Sequence, residues 1–212
     1  MKRTTKKRLK IIGICFGVLI FAWYLLFFFD FTRPDGNVFG VSFSSEYAEY
    51  LELDQIKIYS AILHDLNVKN IRISVYWENI EKKQNEYDFA ELDWQMDQAK
   101  QAGARVILAV GRRTPRWPEC HEPDWEKKLP KIDQDRYLID YLMALVQRYK
   151  SNPALRMWQI ENEAFLYIFT TKNCPYPNKI LIKNEIATVR ALDPNHPIMV
   201  TDSGEFGSWL RT

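Results

Sequence analysis

The pattern of hydrophobic and polar positions divides the chain into one long apolar run and a region of alternating short elements. Ile11 to Phe29 reads IIGICFGVLIFAWYLLFFF, with no charged residue. At about 1.5 Å per residue, a helix of that length crosses a hydrocarbon core of roughly 30 Å. The run therefore predicts a transmembrane helix over 11–29. A cleaved signal peptide is the other reading, but its apolar region runs about 7–15 residues and ends at a small-residue site. Here the run is longer and closes on Phe-Phe-Phe-Asp-Phe-Thr-Arg-Pro. A turn-rich stretch, Arg33-Pro34-Asp35-Gly36-Asn37, makes residues 30–37 a linker.

From Val38 onward the periodicity alternates between two and 3.6. Val38–Ser44, Ile71–Trp77, Arg105–Gly111, Leu155–Glu163 and Pro197–Ser203 read as strands. Between them lie expected helices at Gln55–Leu66, after Asp88, at Asp133–Lys150 and at Asn178–Leu192. Asp88-Phe-Ala-Glu91 has the spacing of a capping box, and Gly103 marks a helix end. Strands separated by helices predict an α/β fold with parallel pairing and right-handed crossovers.

An open doubly wound sheet and a barrel both satisfy that pattern. No glycine-rich phosphate turn follows the first strand, which weakens the nucleotide-binding open sheet. Polar and aromatic residues gather at the C-terminal ends of the strands, where a barrel places its active site. The expectation is a partial (β/α)8 TIM barrel of about five βα units over residues 38–212, with roughly three units missing at the C-terminal side. Two open sheet edges would make such a piece prone to associate.

Composition adds compartment and charge. Lys and Arg number 29 against 27 Asp and Glu, a net charge of +2. Six of those basic residues lie in the first ten positions, so the remainder is mildly acidic and its charge does not favour nucleic acid. The positive-inside bias places residues 1–10 in the cytoplasm and the rest outside it, as a single-pass membrane protein. Cys120 and Cys174 are the two thiols beyond the apolar run. They form either one disulfide or two separate thiols. A bridge would close a loop of roughly 50 residues and contribute about 4 kcal/mol on the chain-entropy account. Cys120, His121 and Cys174 lack a further ligand for a metal site.

Glu163 leads the candidates for chemistry. It ends an otherwise apolar strand, directly after Asn162. A carboxyl at a barrel mouth beside aromatic rings is suited to protonate a leaving oxygen. Period-two alternation puts Glu161 on the same face, one layer deeper, where it is expected to pair with a base such as Arg72. Arg72 lies early in an apolar strand and needs an anionic partner.

Val75-Tyr76-Trp77-Glu78-Asn79-Ile80-Glu81, followed by Tyr87-Asp88-Phe89 and Leu92-Asp93, resembles the second βα unit of clan A glycoside hydrolases. Families 5 and 42 are the nearest. Thr114-Pro115-Arg116-Trp117-Pro118 resembles the loop after the third strand in family 42, and Trp158-Gln159-Ile160-Glu161-Asn162-Glu163 resembles the strand-four motif of the clan. The resemblance implies a retaining β-glycosidase that hydrolyses O-glycosyl bonds without cofactor or metal. It implies Glu163 as general acid/base, Asn162 as partner of the sugar 2-hydroxyl and Arg72 as a residue that helps position the nucleophile. The nucleophile would be a second glutamate on a seventh strand, outside this sequence, so these residues alone would be inactive.

Trp77 and Trp117 fall at or after strand ends and are expected to stack on the sugar, with Tyr167 nearby. His121 and Glu205 are further candidates for hydroxyl contacts, although solvated loop positions suit His121 and Glu122 better. The expected partner is an oligo- or polysaccharide. A membrane-anchored, inactive carbohydrate-binding pseudo-enzyme would use the same aromatic residues.

Overall fold

The computed structural model describes residues 2–28, 38–116, 120–165 and 178–202. The expected linker at 30–37 lies outside them. The chain forms two units, Met1–Val38 and Phe39–Thr212. The first contains α1 (Lys2–Phe28), a helix of 27 residues. Its side chains from Lys10 to Tyr24 are exposed. Counted over the described residues, no helix is long and apolar enough to cross a membrane. The last described side chain of α1 is Leu25, while the uncharged sequence runs on to Phe29.

The second unit is built on five strands: β1 (Val41–Phe43), β2 (Asn70–Ser74), β3 (Arg105–Val110), β4 (Leu155–Ile160) and β5 (Ile198–Met199). They pair in sequence order, every neighbour parallel. A doubly wound sheet reverses its order at a switch point. Sequential addition is instead the pattern of a barrel wall, so the fold is a partial TIM-barrel-like α/β structure. Helices α2 (Ser45–Tyr50) and α3 (Gln55–His64) follow β1, and α4 (Trp77–Ile80) and α5 (Ala90–Gln101) follow β2. A 3-10 turn (Glu126–Lys128) and α6 (Lys131–Tyr149) follow β3, and α7 (Lys179–Leu192) follows β4.

Local chemistry sets the helix starts. Asp54 Oδ1 accepts from the N–H groups of Ile56 and Lys57, and Asn178 Oδ1 does the same for Ile180 and Leu181. The capping box expected at Asp88 does not form. The helix begins at Ala90, whose N–H donates to Asp88 Oδ1, and Glu91 instead accepts from Gln95. Gly103 closes α5 with φ 63°.

One face of the sheet packs against the helices through Ile71, Ile73, Val106, Leu108, Val110, Trp158 and Ile160. Tyr59, Met96, Tyr141, Leu145 and Val189 from four helices fill that core. Alternation gives the other face to Arg72, Ile107 and Met157, which lie side by side in register. The next row is Ser74, Ala109, Gln159 and Met199. That mixed face carries the candidate site.

A buried ionic network locks the ends of β3 and β4. Glu161 accepts from the backbone N–H groups of Arg112 (2.8 Å) and Arg113 (2.6 Å). Gly111 makes room for it: a Cβ there would lie 2.6 Å from Glu161 Oε1, and φ is 125°. The Arg112 guanidinium pairs with Glu122 and with Glu126 at 2.9 Å, and Asp135 lies 3.8 Å away. Glu185 of α7 is buried beside Glu161. One guanidinium cannot neutralise this many carboxylates, so some hold protons. Burial pushes Glu122 up to about 7 despite Arg112. Burial, then the charge of Glu161, raises Glu185 far above the usual carboxylate range. Burial also raises Glu161, opposed by its two N–H donors.

Two outcomes follow. Gly111→Ala is expected to cost about 1–3 kcal/mol, read by urea unfolding; an unchanged midpoint contradicts the close approach. Folded Glu122 keeps its proton between pH 4.5 and about 7, where an unfolded glutamate has lost it. The native state then binds more protons, so stability falls as pH rises through that window. Asp93 and Asp193 do not oppose this. Burial is outweighed at Asp93 by bonds from Arg148 and Tyr149 and at Asp193 by bonds from Trp158 and His196, so both sit below 3.8. A thermal midpoint lower at pH 8 than at pH 5, with a smaller difference in Glu122→Gln, is expected; a rise across that range contradicts the account.

Candidate active site

The strand-four motif does not continue as a strand to Glu163. β4 ends at Ile160, and Glu161 and Glu163 take left-handed backbone angles, φ 57° and 47°. Such angles cost non-glycine residues roughly 1–2 kcal/mol each. Here hydrogen bonds hold the turn. Glu161 N donates to Val110 O and Asn162 N to Arg113 O, each at 2.8 Å. Glu163 N donates to Thr201 Oγ1 at 3.1 Å. Gln159 Nε2 reaches Glu161 O (2.9 Å), Asn162 Oδ1 (3.4 Å) and Thr201 Oγ1 (3.3 Å).

The turn separates the two glutamates, which corrects the expectation that they share a face. Glu161 goes to the Arg112 and Arg113 amides, not to Arg72. Arg72 Nη2 instead donates to Asn162 Oδ1 at 2.7 Å. A guanidinium only donates, so this bond fixes the amide with its oxygen toward Arg72 and its Nδ2 donor turned away. Burial lowers the pKa of Arg72, and the charge of Glu163 partly restores it. Glu163 is half-buried. Arg72 thus reaches from the middle of β2 to Asn162, and Asn162 and Glu163 lie just beyond the end of β4. Gln159 and Thr201, which hold the turn, were not foreseen as site residues. The signal for Gln159 is polarity inside an apolar strand, and Thr201 lies two residues past the end of β5.

Other expected contacts lie elsewhere. Trp77 is 0% exposed, with its ring stacked on Tyr141 and its Nε1 donating to Glu81 at 2.7 Å. It is core and cannot meet a sugar, because β2 ends at Ser74 and α4 begins at Trp77, turning the ring inward. His121 is 1% exposed, not a solvated loop residue, and Glu122 is buried on Arg112. The His121 Nδ1 lies 2.9 Å from Glu78 Oε1 and 3.4 Å from Glu46 Oε2, and its Nε2 is 3.4 Å from Arg116 O. Direct sugar contact by His121 is ruled out by that burial. Among the described residues, Glu46, Glu78 and His121 have ligand atoms within 4.8 Å of one another, close enough to share a cation. The direct approach of the imidazole to Glu78 explains the grouping without one. Cys120 is disulfide-bonded and Cys15 is free. Trp117, Tyr167, Cys174 and Glu205 lie outside the described residues.

Comparison with known proteins adds the family. The family description "Cellulase (glycosyl hydrolase family 5)" matches residues 30–209. Beta-galactosidase BgaA of Clostridium cellulovorans is 23% identical over 168 residues, which are 71% of this chain and 25% of that protein. The chain thus spans about a quarter of the length of this curated relative. A GH5_18 structure from Streptomyces cattleya in complex with GlcNAc aligns with TM-score 0.59 and 14% identity, over 77% of this chain and 44% of that one. Xylanase 10C from Cellvibrio japonicus, as a variant in complex with xylopentaose, aligns with TM-score 0.60 and 15% identity, over 80% and 35%. At these identities the structures share the fold alone. With its barrel-like parallel sheet, its strand-four Asn162-Glu163 turn and a family match along most of its length, the chain belongs to glycosyl hydrolase family 5.

Proposed function

We propose that the protein is a membrane-anchored, extracytoplasmic retaining β-glycoside hydrolase with Glu163 as general acid/base. The observation that carries this reading is the Arg72–Asn162 bond beside half-buried Glu163 at the end of β4. In the first step Glu163 donates its proton to the glycosidic oxygen as a second carboxylate attacks the anomeric carbon. In the second step Glu163 takes a proton from the water that releases the sugar. Retaining chemistry needs the two carboxyl groups about 5–5.5 Å apart. By family resemblance the second belongs to a seventh strand, which is not among the five described. Asn162 Nδ2, oriented by Arg72, donates to the sugar 2-hydroxyl, a contact that strengthens in the transition state. Two carboxylates suffice for this reaction, so it calls for no cofactor.

The substrate is an oligo- or polysaccharide. β-Galactosidase and xylanase among the similar proteins support a β-linked chain without fixing the sugar. Anchoring rests on the uncharged run Ile11–Phe29, on the 27-residue helix α1 and on the six basic residues before the run. The Cys120 disulfide fits an oxidising compartment, and Cys174 is its proposed partner.

Glu163→Gln in the full-length gene product is expected to lower turnover of an aryl β-glycoside by about 10²–10⁴-fold, the usual worth of a positioned acid. Unchanged turnover removes Glu163 from its role, and glycan binding without hydrolysis by the unaltered protein favours an inactive binding protein. For the anchor, removal of residues 1–29 is expected to move the protein from the membrane to the soluble fraction. Recovery of the unaltered protein in the soluble fraction contradicts it.

A further inference from the structure

The loops after β1 and β3 meet in a cavity of about 500 Å³ lined by Glu46, Tyr47, Tyr50 and Arg116. None of these residues has a part in the chemistry above. Ser44 Oγ accepts from Tyr47 N and caps α2, which places Tyr47 and Tyr50 three residues apart on one face. Their rings lie 6.0 Å apart and nearly parallel, at 16°. The Arg116 guanidinium sits 4.3 Å from the centre of the Tyr47 ring. Tyr50 is 79% exposed and Tyr47 40%. Two tyrosines left in solvent on a six-residue helix add little to the core, yet the wall behind them is firmly built.

That wall is held from beneath. Arg116 has φ 102°, a strained angle for a non-glycine residue. Its carbonyl faces His121 Nε2, while His121 Nδ1 faces Glu78 and Glu46. Asn79 Nδ2 donates to the other Glu46 oxygen at 3.0 Å. Buried His121 thus serves as a positioning residue that sets both the cation and the carboxylate of the cavity. A fixed wall loses little entropy on binding.

We propose that this cavity is a distal subsite for one neutral pyranose ring of an extended oligosaccharide. The apolar C–H face of a sugar packs on the open Tyr50 ring. Its hydroxyl groups donate to Glu46 and accept from Arg116. A charged ligand of either sign meets one repulsive partner there, whereas hydroxyls satisfy both. The subsite lies at the C-terminal end of β1, the same end of the sheet as Glu163 on β4. Three strand spacings separate them, on the order of 14 Å at about 4.8 Å each. The ring held here is therefore a remote ring of the chain, not the one cleaved. That the same chain is cut at Glu163 rests on the proposed function; binding at the cavity does not.

The test compares Tyr50→Ala and Tyr50→Trp in the full-length protein, using neutral β-linked hexasaccharides and an aryl monoglycoside. In Tyr50→Ala the ratio of kcat/KM on the hexasaccharide to kcat/KM on the monoglycoside is expected to fall about tenfold, and Tyr50→Trp restores it. An unchanged ratio overturns the subsite while leaving the role of Glu163 intact. Where no hydrolysis occurs, retardation of the protein in a gel containing the polysaccharide replaces the kinetic readout. Loss of retardation in Tyr50→Ala supports the subsite, and retardation equal to that of the unaltered protein overturns it. Tighter binding of a uronic-acid hexasaccharide than of its neutral counterpart overturns the neutral assignment.

Discussion

The acceptance of two backbone N–H groups by the Glu161 carboxylate is the interaction on which the rest depends. It draws the end of β4 onto the end of β3 and pulls the Glu161 side chain away from the mixed face of the sheet. The chain compensates with left-handed angles on either side of Asn162. Those angles deliver Asn162 to Arg72 and leave Glu163 within the field of the same guanidinium. A straight strand would have stacked Glu161 and Glu163 on one face and placed two carboxylates in competition for Arg72.

The structure uses its arginines for two different ends. Arg112 is buried among carboxyl groups and ties the end of β3 to Glu122, to the 3-10 turn and to α6. Burial raises the pKa values of Glu122, Glu161 and Glu185, and this favours protons on the surplus acids. Arg72 is only half-buried and gives its bond to a neutral amide, which orients a donor without quenching a nearby acid. Arg116 is exposed and stands over an aromatic ring at the edge of the same end of the sheet. The three span a range from scaffold to surface recognition.

Much of this was legible in the sequence. The five strands follow from hydrophobic periodicity, their barrel-like order from the missing glycine-rich turn and the polar strand ends, and the Asn162-Glu163 pair stands out as polar residues closing an apolar run. Three of the readings that fail do so for reasons that single residues show. Period two extended past Ile160 matches Glu161 to Arg72, but the backbone has already left the ladder there. The pattern makes Trp77 the last strand residue, whereas two residues of non-strand chain before it rotate its ring onto Tyr141. His121 looked like a loop residue because its partner Glu78 is 43 positions away, a distance that no local pattern reports. Glu185 did leave a trace: it occupies the buried stripe of α7 with Ile182 and Val189, where an acid is out of place.

Acid/base chemistry at Glu163 requires that a sugar reach its carboxyl group. A crystal structure of the full-length protein with a non-hydrolysable thio-linked oligosaccharide tests this most directly. The expected result is a Glu163 carboxyl oxygen at about hydrogen-bonding distance from the sulfur that replaces the scissile oxygen, with Asn162 Nδ2 on the adjacent 2-hydroxyl. A ligand bound with its scissile position remote from Glu163, or a Glu163 side chain turned away from an occupied cleft, would contradict it.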